Sequence, residues 1–164
     1  MIRVLTTFGY VGLLRPAPGT WASAVALGLG MVIDRTLGAP VLVLATLGVI
    51  AAGFWACEQA LRDRPGEDPG EIVIDEVAGQ WIALLFPTLA FWARGFEGGW
   101  LPWPAWIAPF LFFRLFDIWK PWIIGRADRR SDPAGVMLDD LWAGLFAGIA
   151  TVLAAVAYHL PLIL

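Results

Sequence analysis

Long apolar runs, separated by short polar or proline-rich stretches, dominate this sequence. An α-helix needs about 20 apolar residues to cross the hydrocarbon core of a bilayer. Four strong candidates and one shorter one, the first, lie at residues 21–37, 41–61, 72–92, 105–124 and 136–158. Charged residues make up only 15% of the 164 residues, whereas soluble proteins carry roughly a quarter. The sequence therefore predicts an all-α polytopic membrane bundle of four to five spanning helices, in one domain over residues 1–164.

The residues before the first long run form a weaker apolar stretch. Two threonines and two glycines interrupt it, and Arg15-Pro16 follows directly. We therefore predict an N-terminal amphipathic or re-entrant segment rather than a further span. Thr20 stands just before the first long run and is a good N-cap residue for that helix.

The basic residues are divided unequally between the two sides of the predicted bundle. If the N-terminus is cytoplasmic, eight of the 11 Lys and Arg residues lie on that side, Arg35 and Arg94 lie opposite, and Arg114 lies within a helix. The eight are Arg3, Arg15, Arg62, Arg64, Lys120, Arg126, Arg129 and Arg130. Because cytoplasmic loops are enriched in Lys and Arg, this bias predicts a cytoplasmic N-terminus. The net charge of −3 and the lack of a basic stripe argue against a nucleic-acid partner.

Five acidic residues come to one depth from three predicted helices. Asp75 and Glu76 lie in the first turns of the third, Asp117 near the cytoplasmic end of the fourth, and Asp139 and Asp140 near the start of the fifth. The helix dipole favours an acid at a helix start, but it explains neither the adjacent pairs nor Asp117. A charge on a central membrane turn costs roughly 2.5–3.5 kcal/mol and usually marks a functional site. Oxygen ligands without paired His or Cys suit Mg²⁺, or Mn²⁺ as an alternative, so we predict a site for such a cation on the cytoplasmic face.

Several basic and hydroxyl side chains are candidate ligands for an anion beside these acids. Arg114, Asp117 and Lys120 are spaced by three along one helix face. Arg114 is either a structural partner of Asp117 or a substrate ligand, and Lys120 either binds phosphate or extends to the lipid headgroups. The helix N-terminus that carries Thr20 and Ser23 is a further, weaker candidate, since helix N-termini bind anions.

Four segments carry motifs that are specific in combination and occur in one order along most of the chain. They are residues 12–23, 72–82, 113–122 and 135–144. The second contains Asp-Glu-x-x-Gly-x-Trp from Asp75, and the third is Phe-Arg-x-x-Asp-x-x-Lys-Pro-Trp from Phe113. In these motifs the chain resembles the phosphatidylglycerophosphatase A family. The resemblance implies Mg²⁺-dependent hydrolysis of phosphatidylglycerophosphate to phosphatidylglycerol and inorganic phosphate, at the inner face of a bacterial cytoplasmic membrane.

That chemistry gives the candidate residues roles. Hydrolysis of a phosphomonoester depends mostly on positioning and on stabilisation of the developing charge. The five acidic residues are predicted to hold the cation against the phosphate oxygens, while Lys120, with Arg114 or the region of Thr20 and Ser23, stabilises the remaining charge. The nucleophile is either water or a carboxylate, and the sequence does not choose between them.

Two other classes of membrane protein also use intramembrane acids. A CDP-alcohol phosphotransferase carries its aspartates along one segment, whereas the acids here are spread over three helices. A cation or proton transporter would place acids near mid-membrane and on both sides, whereas the outer side has only Asp34 and Glu97. Histidine and cysteine phosphatase chemistry fits poorly, because His159 lies at the far end of the last helix and Cys57 lies in an apolar run.

Helix packing is constrained at one place. Gly144 and Gly148 form a small-xxx-small pair, at which another helix can approach closely. The sequence identifies neither that helix nor the oligomeric state.

Overall fold

The computed structural model describes residues 1–63, 69–96, 99–130 and 132–159. Within these ranges the regular structure is entirely helical, which confirms the all-α prediction. The helices are α1 (Ile2–Thr6), α2 (Pro18–Leu37), α3 (Ala39–Leu61), α4 (Ile74–Trp92), α5 (Trp103–Trp119), α6 (Ile123–Asp128) and α7 (Pro133–His159), with a 3₁₀ turn at Val11–Leu13. Arg64 and Glu97, which entered the charge arguments, lie outside the described residues.

Two of the described helices, α3 and α7, are long and apolar enough to cross a membrane. In the most apolar 18-residue window of each helix, only 28% is buried inside the protein. The core helix of a soluble protein is mostly buried instead, so these two helices are typical of a membrane protein. By the same measure of length and apolarity, α2, α4 and α5 do not qualify within the described ranges.

Two predicted helix boundaries are wrong. α2 begins at Pro18 with Ala17 as its N-cap, so Thr20 lies inside the first turn and is not the cap. Proline is favoured at the first helical position, because its missing N–H has no helical partner there. The predicted fourth helix does not continue to residue 124 but ends at Trp119, where Lys120 has the left-handed angles φ 48° and ψ 53°. Pro121 disfavours a helical conformation at the residue before it, and α6 begins only at Ile123.

The N-terminal segment packs beside the bundle instead of crossing it. α1 has five residues and is about 7.5 Å long, far short of the roughly 30 Å of a bilayer core. The backbone N–H of Val73 donates a hydrogen bond to the Thr6 carbonyl at 2.8 Å. An ion pair of 3.3 Å joins Arg3 to Glu71. The segment is thereby fixed to the residues that precede α4.

α4 is the central helix of the bundle. It contacts α2, α3, α5 and α7, and 11 of its 19 residues are buried. A Cβ atom at Gly144 of α7 would collide with the backbone of Gly79, and one at Gly148 would collide with the Phe86 ring. The predicted close packing at Gly144 and Gly148 is thus confirmed, with α4 as the partner helix.

Candidate active site

The contact between α4 and α7 brings acidic residues of both helices together. The two helices run in the same direction, since Gly79 meets Gly144 and the later Phe86 meets Gly148. Asp75 lies one turn before Gly79, and Asp140 lies one turn before Gly144. Carboxylate oxygens of Asp75, Glu76 and Asp140 accordingly lie within 4.8 Å of one another.

The remaining two predicted acids join the same cluster. Asp117 of α5 lies close enough to both Glu76 and Asp140 for their charges to repel. Asp139 is likewise an electrostatic neighbour of Asp140. The structure therefore brings together all five carboxylates that the sequence placed at one depth, from three separate helices.

Glu76 extends from α4 to the first turn of α2. A Cβ atom at Gly19 would collide with the Glu76 carboxylate, so a larger residue at this position would displace that carboxylate. The free N–H groups and the dipole of a helix N-terminus favour a negative charge at this point. The carboxylate of Glu76 thus lies where the sequence predicted that a substrate anion would bind.

Arg114 forms a mostly buried ion pair inside the cluster. Its Nη1 atom lies 2.6 Å from Asp117 Oδ2 and donates a hydrogen bond of 3.3 Å to Ser23 Oγ. The Ser23 hydroxyl in turn donates to the Gly19 carbonyl at 2.8 Å. Of the two interpretations of Arg114, the ion pair with Asp117 is present, and a contact with substrate stays a prediction. The Thr20 hydroxyl makes no hydrogen bond within the described part of the chain, so its role and that of Ser23 as substrate ligands also stay predictions.

Lys120 connects the turn after α5 to α6 and α7. Its Nζ atom donates to Asp139 Oδ2 at 2.7 Å and also to Asp128 Oδ1. Burial lowers the pKa of Lys120, but the hydrogen bonds to Asp128 and Asp139 outweigh this effect, and the net pKa is raised above its ordinary value. The ammonium group is therefore charged at every physiological pH and holds one oxygen of Asp139.

Asp128 is a residue that the sequence argument missed. It lies in a polar stretch that also contains Arg126, Arg129 and Arg130, where one more charge carries no distinct signal. Its position becomes meaningful only because α6 folds back toward Lys120.

Gln80 is the second residue that the sequence argument missed. It follows Glu76 by one helical turn and is fully buried, and neither atom of its side-chain amide has a hydrogen-bond partner in the described structure. The available signal was a polar residue within an apolar run, inside the Asp-Glu-x-x-Gly-x-Trp motif, since polar residues at membrane depth are usually functional.

The cluster has the donor set and the charge deficit expected of a site for a hard cation. Together with Asp128, the five carboxylates share two cationic side chains, which leaves a formal excess of four negative charges. Among the described residues, Glu76 Oε2, Asp139 Oδ1 and Asp140 Oδ1 are buried without a hydrogen-bond partner. Unpaired buried carboxylate oxygens are costly unless a cation neutralises them. The residues present thus fit Mg²⁺ or Mn²⁺, and Asp75, Glu76 and Asp140 form the closest group of possible ligands.

Comparison with known proteins places most of the chain in one family. Residues 4–155 match the family model described as phosphatidylglycerophosphatase A. The phosphatidylglycerophosphatase A of Haemophilus influenzae is 34% identical over 140 residues, which cover 84% of this chain and 78% of that protein. The Escherichia coli protein of the same name is 32% identical over 153 residues, 92% of this chain and 80% of the relative.

A third relative carries a different name. A Bacteroides thetaiotaomicron protein, provisionally named a phosphatidylinositol-3-phosphatase, is 33% identical over 138 residues, 81% of this chain and 80% of its own length. No solved structure matches the chain.

Proposed function

The chain belongs to the phosphatidylglycerophosphatase A family, and from this premise we propose that it hydrolyses phosphatidylglycerophosphate to phosphatidylglycerol and inorganic phosphate. The observation that carries the proposal is the convergence of Asp75, Glu76 and Asp140 within 4.8 Å, beside two cationic side chains. We also propose that residues 1–164 form one lipid phosphatase domain.

The proposed cofactor is Mg²⁺, with Mn²⁺ as an alternative. Asp75, Glu76 and Asp140 would hold the cation, and Asp117 and Asp139 would complete its negative surroundings. When bound, the cation neutralises phosphate charge and polarises the phosphoryl group. Without a cation, the five carboxylates would repel the negatively charged phosphate.

Lys120 and Arg114 retain donors that a phosphate can use. An ammonium group has three N–H donors, and Lys120 uses two of them for Asp128 and Asp139. Arg114 Nε is buried without a partner in the described structure. In the proposed mechanism these donors stabilise the charge that develops on the phosphate oxygens during P–O cleavage.

Asp139 is the carboxylate best placed to orient an attacking water molecule. Lys120 fixes its Oδ2, while its Oδ1 is buried and has no partner among the described residues. Water attacks phosphorus and gives one proton to Asp139 Oδ1, the ester P–O bond breaks, and the glycerol oxygen takes up a proton as it leaves, so the products are an alcohol and hydrogen phosphate. Trapping a covalent phospho-enzyme would show instead that a carboxylate is the nucleophile.

We propose further that α2, α3, α4, α5 and α7 all cross the cytoplasmic membrane of a bacterium, with the carboxylates at the cytoplasmic face. Exposed apolar side chains on α2 and α5, such as Leu29 and Leu111, support the additional spans. Exposed tryptophans occur at both ends of the bundle, as in interfacial aromatic belts, with Trp119 near the carboxylates and Trp103 at the opposite end. The excess of basic residues at the carboxylate end supports the orientation.

The two alternatives receive less support. In a transporter, buried acids are expected along a pathway, whereas the buried acids in the described ranges, Asp75, Asp139 and Asp140, all lie at one end. The spread of the carboxylates over three helices also differs from the single-segment arrangement of a CDP-alcohol phosphotransferase.

The test is phosphate release from phosphatidylglycerophosphate by the purified protein, with Mg²⁺, with EDTA, and with Mg²⁺ or Mn²⁺ restored. We expect release that requires the cation and falls on the order of 100-fold or more in Asp140→Asn. Asp34→Asn, at the far end of α2, is the matched control and should retain full activity. Absence of release from folded protein, or full release from Asp140→Asn, would contradict the proposal. Phosphatidic acid and phosphatidylinositol 3-phosphate, tested alongside, measure headgroup selectivity.

A further inference from the structure

An apolar groove of about 410 Å³ lies between the N-terminal segment, α3 and α4. We name it the α1–α3 groove, and its lining includes Leu5, Phe8, Gly48, Ala52, Ile74 and Trp81. Its volume lies within the range of roughly 300–1,000 Å³ that is typical of small-molecule sites. Its lining side chains are hydrocarbon and aromatic, so the groove suits an apolar ligand and offers nothing to a polar one.

The groove reaches the depth of the carboxylate cluster. Ile74 forms one end of its α4 wall and directly precedes Asp75, while Trp81 lies two turns further, about 10 Å along the helix. The hydrogen bond from Val73 to Thr6 fixes the N-terminal wall to the same point of α4. Asp75 and Glu76 point about 100° and 200° around the helix from Ile74, so a lipid with its phosphate at the carboxylates would pass around the start of α4 to place a chain in the groove.

The backbone of the N-terminal wall is strained where it borders the groove. Phe8, Gly9 and Tyr10 have positive φ angles of 47°, 63° and 72°. Such angles are uncommon for bulky residues such as Phe8 and Tyr10 and cluster at ligand sites, whereas glycine adopts them freely. Here they turn the chain so that Phe8 lines the groove and also packs against two hydrophobic clusters of the bundle.

The middle of the groove is open rather than filled by neighbouring side chains. A Cβ atom at Gly48 would meet nothing within 4 Å, whereas one at Gly53, further along α3, would collide with Met137.

We propose that the α1–α3 groove receives one long acyl chain of the lipid whose phosphate is bound at the carboxylates. The inference rests on the proposed phosphatase function and names the part of the substrate that positions it. Lipid tails are as apolar as the groove, so binding gains packing and orientation rather than hydrophobic free energy. The groove therefore acts by holding the phosphoester at a fixed place relative to the carboxylates.

The test fills the groove without touching the carboxylates. Gly48→Leu places a side chain in the open space, and Gly28→Leu is the matched control, because Gly28 is also exposed and also has nothing within 4 Å of its Cβ position. Phosphate release is measured with dioleoyl and with dihexanoyl phosphatidylglycerophosphate in mixed micelles. We expect Gly48→Leu to lower kcat/KM for the dioleoyl substrate by roughly three- to tenfold and to leave the dihexanoyl value unchanged. Gly28→Leu should change neither.

The possible results separate this inference from the proposed function. If the intact protein hydrolyses neither substrate, the proposed function fails, and the acyl-chain inference fails with it. If the intact protein is active and Gly48→Leu affects both chain lengths equally, or neither, only the acyl-chain inference fails. A change in the oligomeric mass of Gly48→Leu with unaltered chain selectivity would also overturn it, in favour of a second copy as the occupant. Mapping a diazirine-bearing dioleoyl analogue provides a further check, since it should label residues 45–52 of the intact protein and lose this labelling in Gly48→Leu.

Discussion

The contact between α4 and α7 has two zones, one helical turn apart. Carboxylates repel each other in one zone, and glycines pack closely in the other. In the acidic zone Asp75 and Asp140 approach each other although their carboxylates repel when both are ionised. In the glycine zone, Gly79 and Gly144 meet backbone to backbone, with no room for a Cβ atom on Gly144. Each glycine follows its acid by four residues. The glycine zone lets the helices approach, and the approach makes a shared cation site possible.

The acidic zone serves function, whereas the glycine zone serves stability as well. Gathering unpaired buried charges destabilises a fold unless a cation is present. Close packing of small residues in the next turns, including fully buried Ala143 and Ala147, opposes that repulsion. Substitutions in the acidic zone should therefore abolish activity without unfolding the protein, whereas substitutions in the glycine zone should affect both.

The largest expected effect on activity follows replacement of Asp75 by asparagine. Phosphate release should fall on the order of 100-fold or more, because a ligand of the proposed cation is lost. Thermal stability without metal should stay equal or rise, because one of several repelling charges is removed. Asp63→Asn, in the exposed turn after α3, is the control for phosphate release and for the melting temperature. Unfolding of Asp75→Asn would contradict the view that the acidic zone serves function rather than stability.

Gly144→Ala should affect both activity and stability. The added methyl group collides with the Gly79 backbone and forces the helices apart, at a cost of about 1–3 kcal/mol in the free energy of unfolding. Activity should fall roughly 10- to 100-fold as the carboxylates separate. Gly28→Ala is the matched control, and its effect should be limited to a gain of up to about 1 kcal/mol in helix propensity. Equal behaviour of the two variants in thermal unfolding and phosphate release would contradict the role of the glycine zone.

Gly148→Ala should have a smaller effect than Gly144→Ala. The added methyl group meets the ring of Phe86, a side chain that can move, and it lies two turns away from Asp140. We expect a measurable loss of thermal stability and less than about a threefold loss of activity. A loss of activity as large as that of Gly144→Ala would show that the site depends on the whole interface rather than on its nearest contact.

Asp128→Asn should have the smallest effect. Lys120 keeps its bond to Asp139, and partly exposed ion pairs contribute about 0–1 kcal/mol. Because the pKa of Lys120 is raised above 10.5, the lysine side of its ion pairs stays charged through neutral pH, and their stabilisation is lost at high pH only as pH rises through the raised value. The difference in melting temperature between the intact protein and Asp128→Asn should accordingly be constant from pH 7.5 to pH 9. A difference that changes within this range would contradict a permanently charged Lys120.

Much of the architecture follows from local sequence signals. Apolar runs predict the long helices within a few residues, and the alternation of helix direction alone predicts that Asp75, Asp117 and Asp140 lie at one depth. The spacing of Gly144 and Gly148 also predicts a close helix contact. The apolar runs and the glycine spacing are local features of the helices, so they can be recognised directly in the sequence.

Features that depend on how distant segments meet were not predictable in the same way. The turn at Lys120, the return of Asp128 to that lysine, and the fit of Glu76 against Gly19 each join elements that are separated by a loop. The boundary error at Trp119 arose because apolar residues continue through Pro121, and only its effect on the preceding residue ends the helix. Gln80 was missed because a single polar residue in an apolar run has no periodicity.

The most direct test of the central claim is the Mn²⁺ affinity of the purified protein, measured by electron paramagnetic resonance for Gly144→Ala and Gly28→Ala beside the intact chain. The account predicts that Gly144→Ala binds Mn²⁺ at least about tenfold more weakly, because the Asp75 and Asp140 carboxylates no longer share one cation, while Gly28→Ala binds as the intact protein does. Equal affinity in all three proteins would contradict the claim that the glycine contact builds the site.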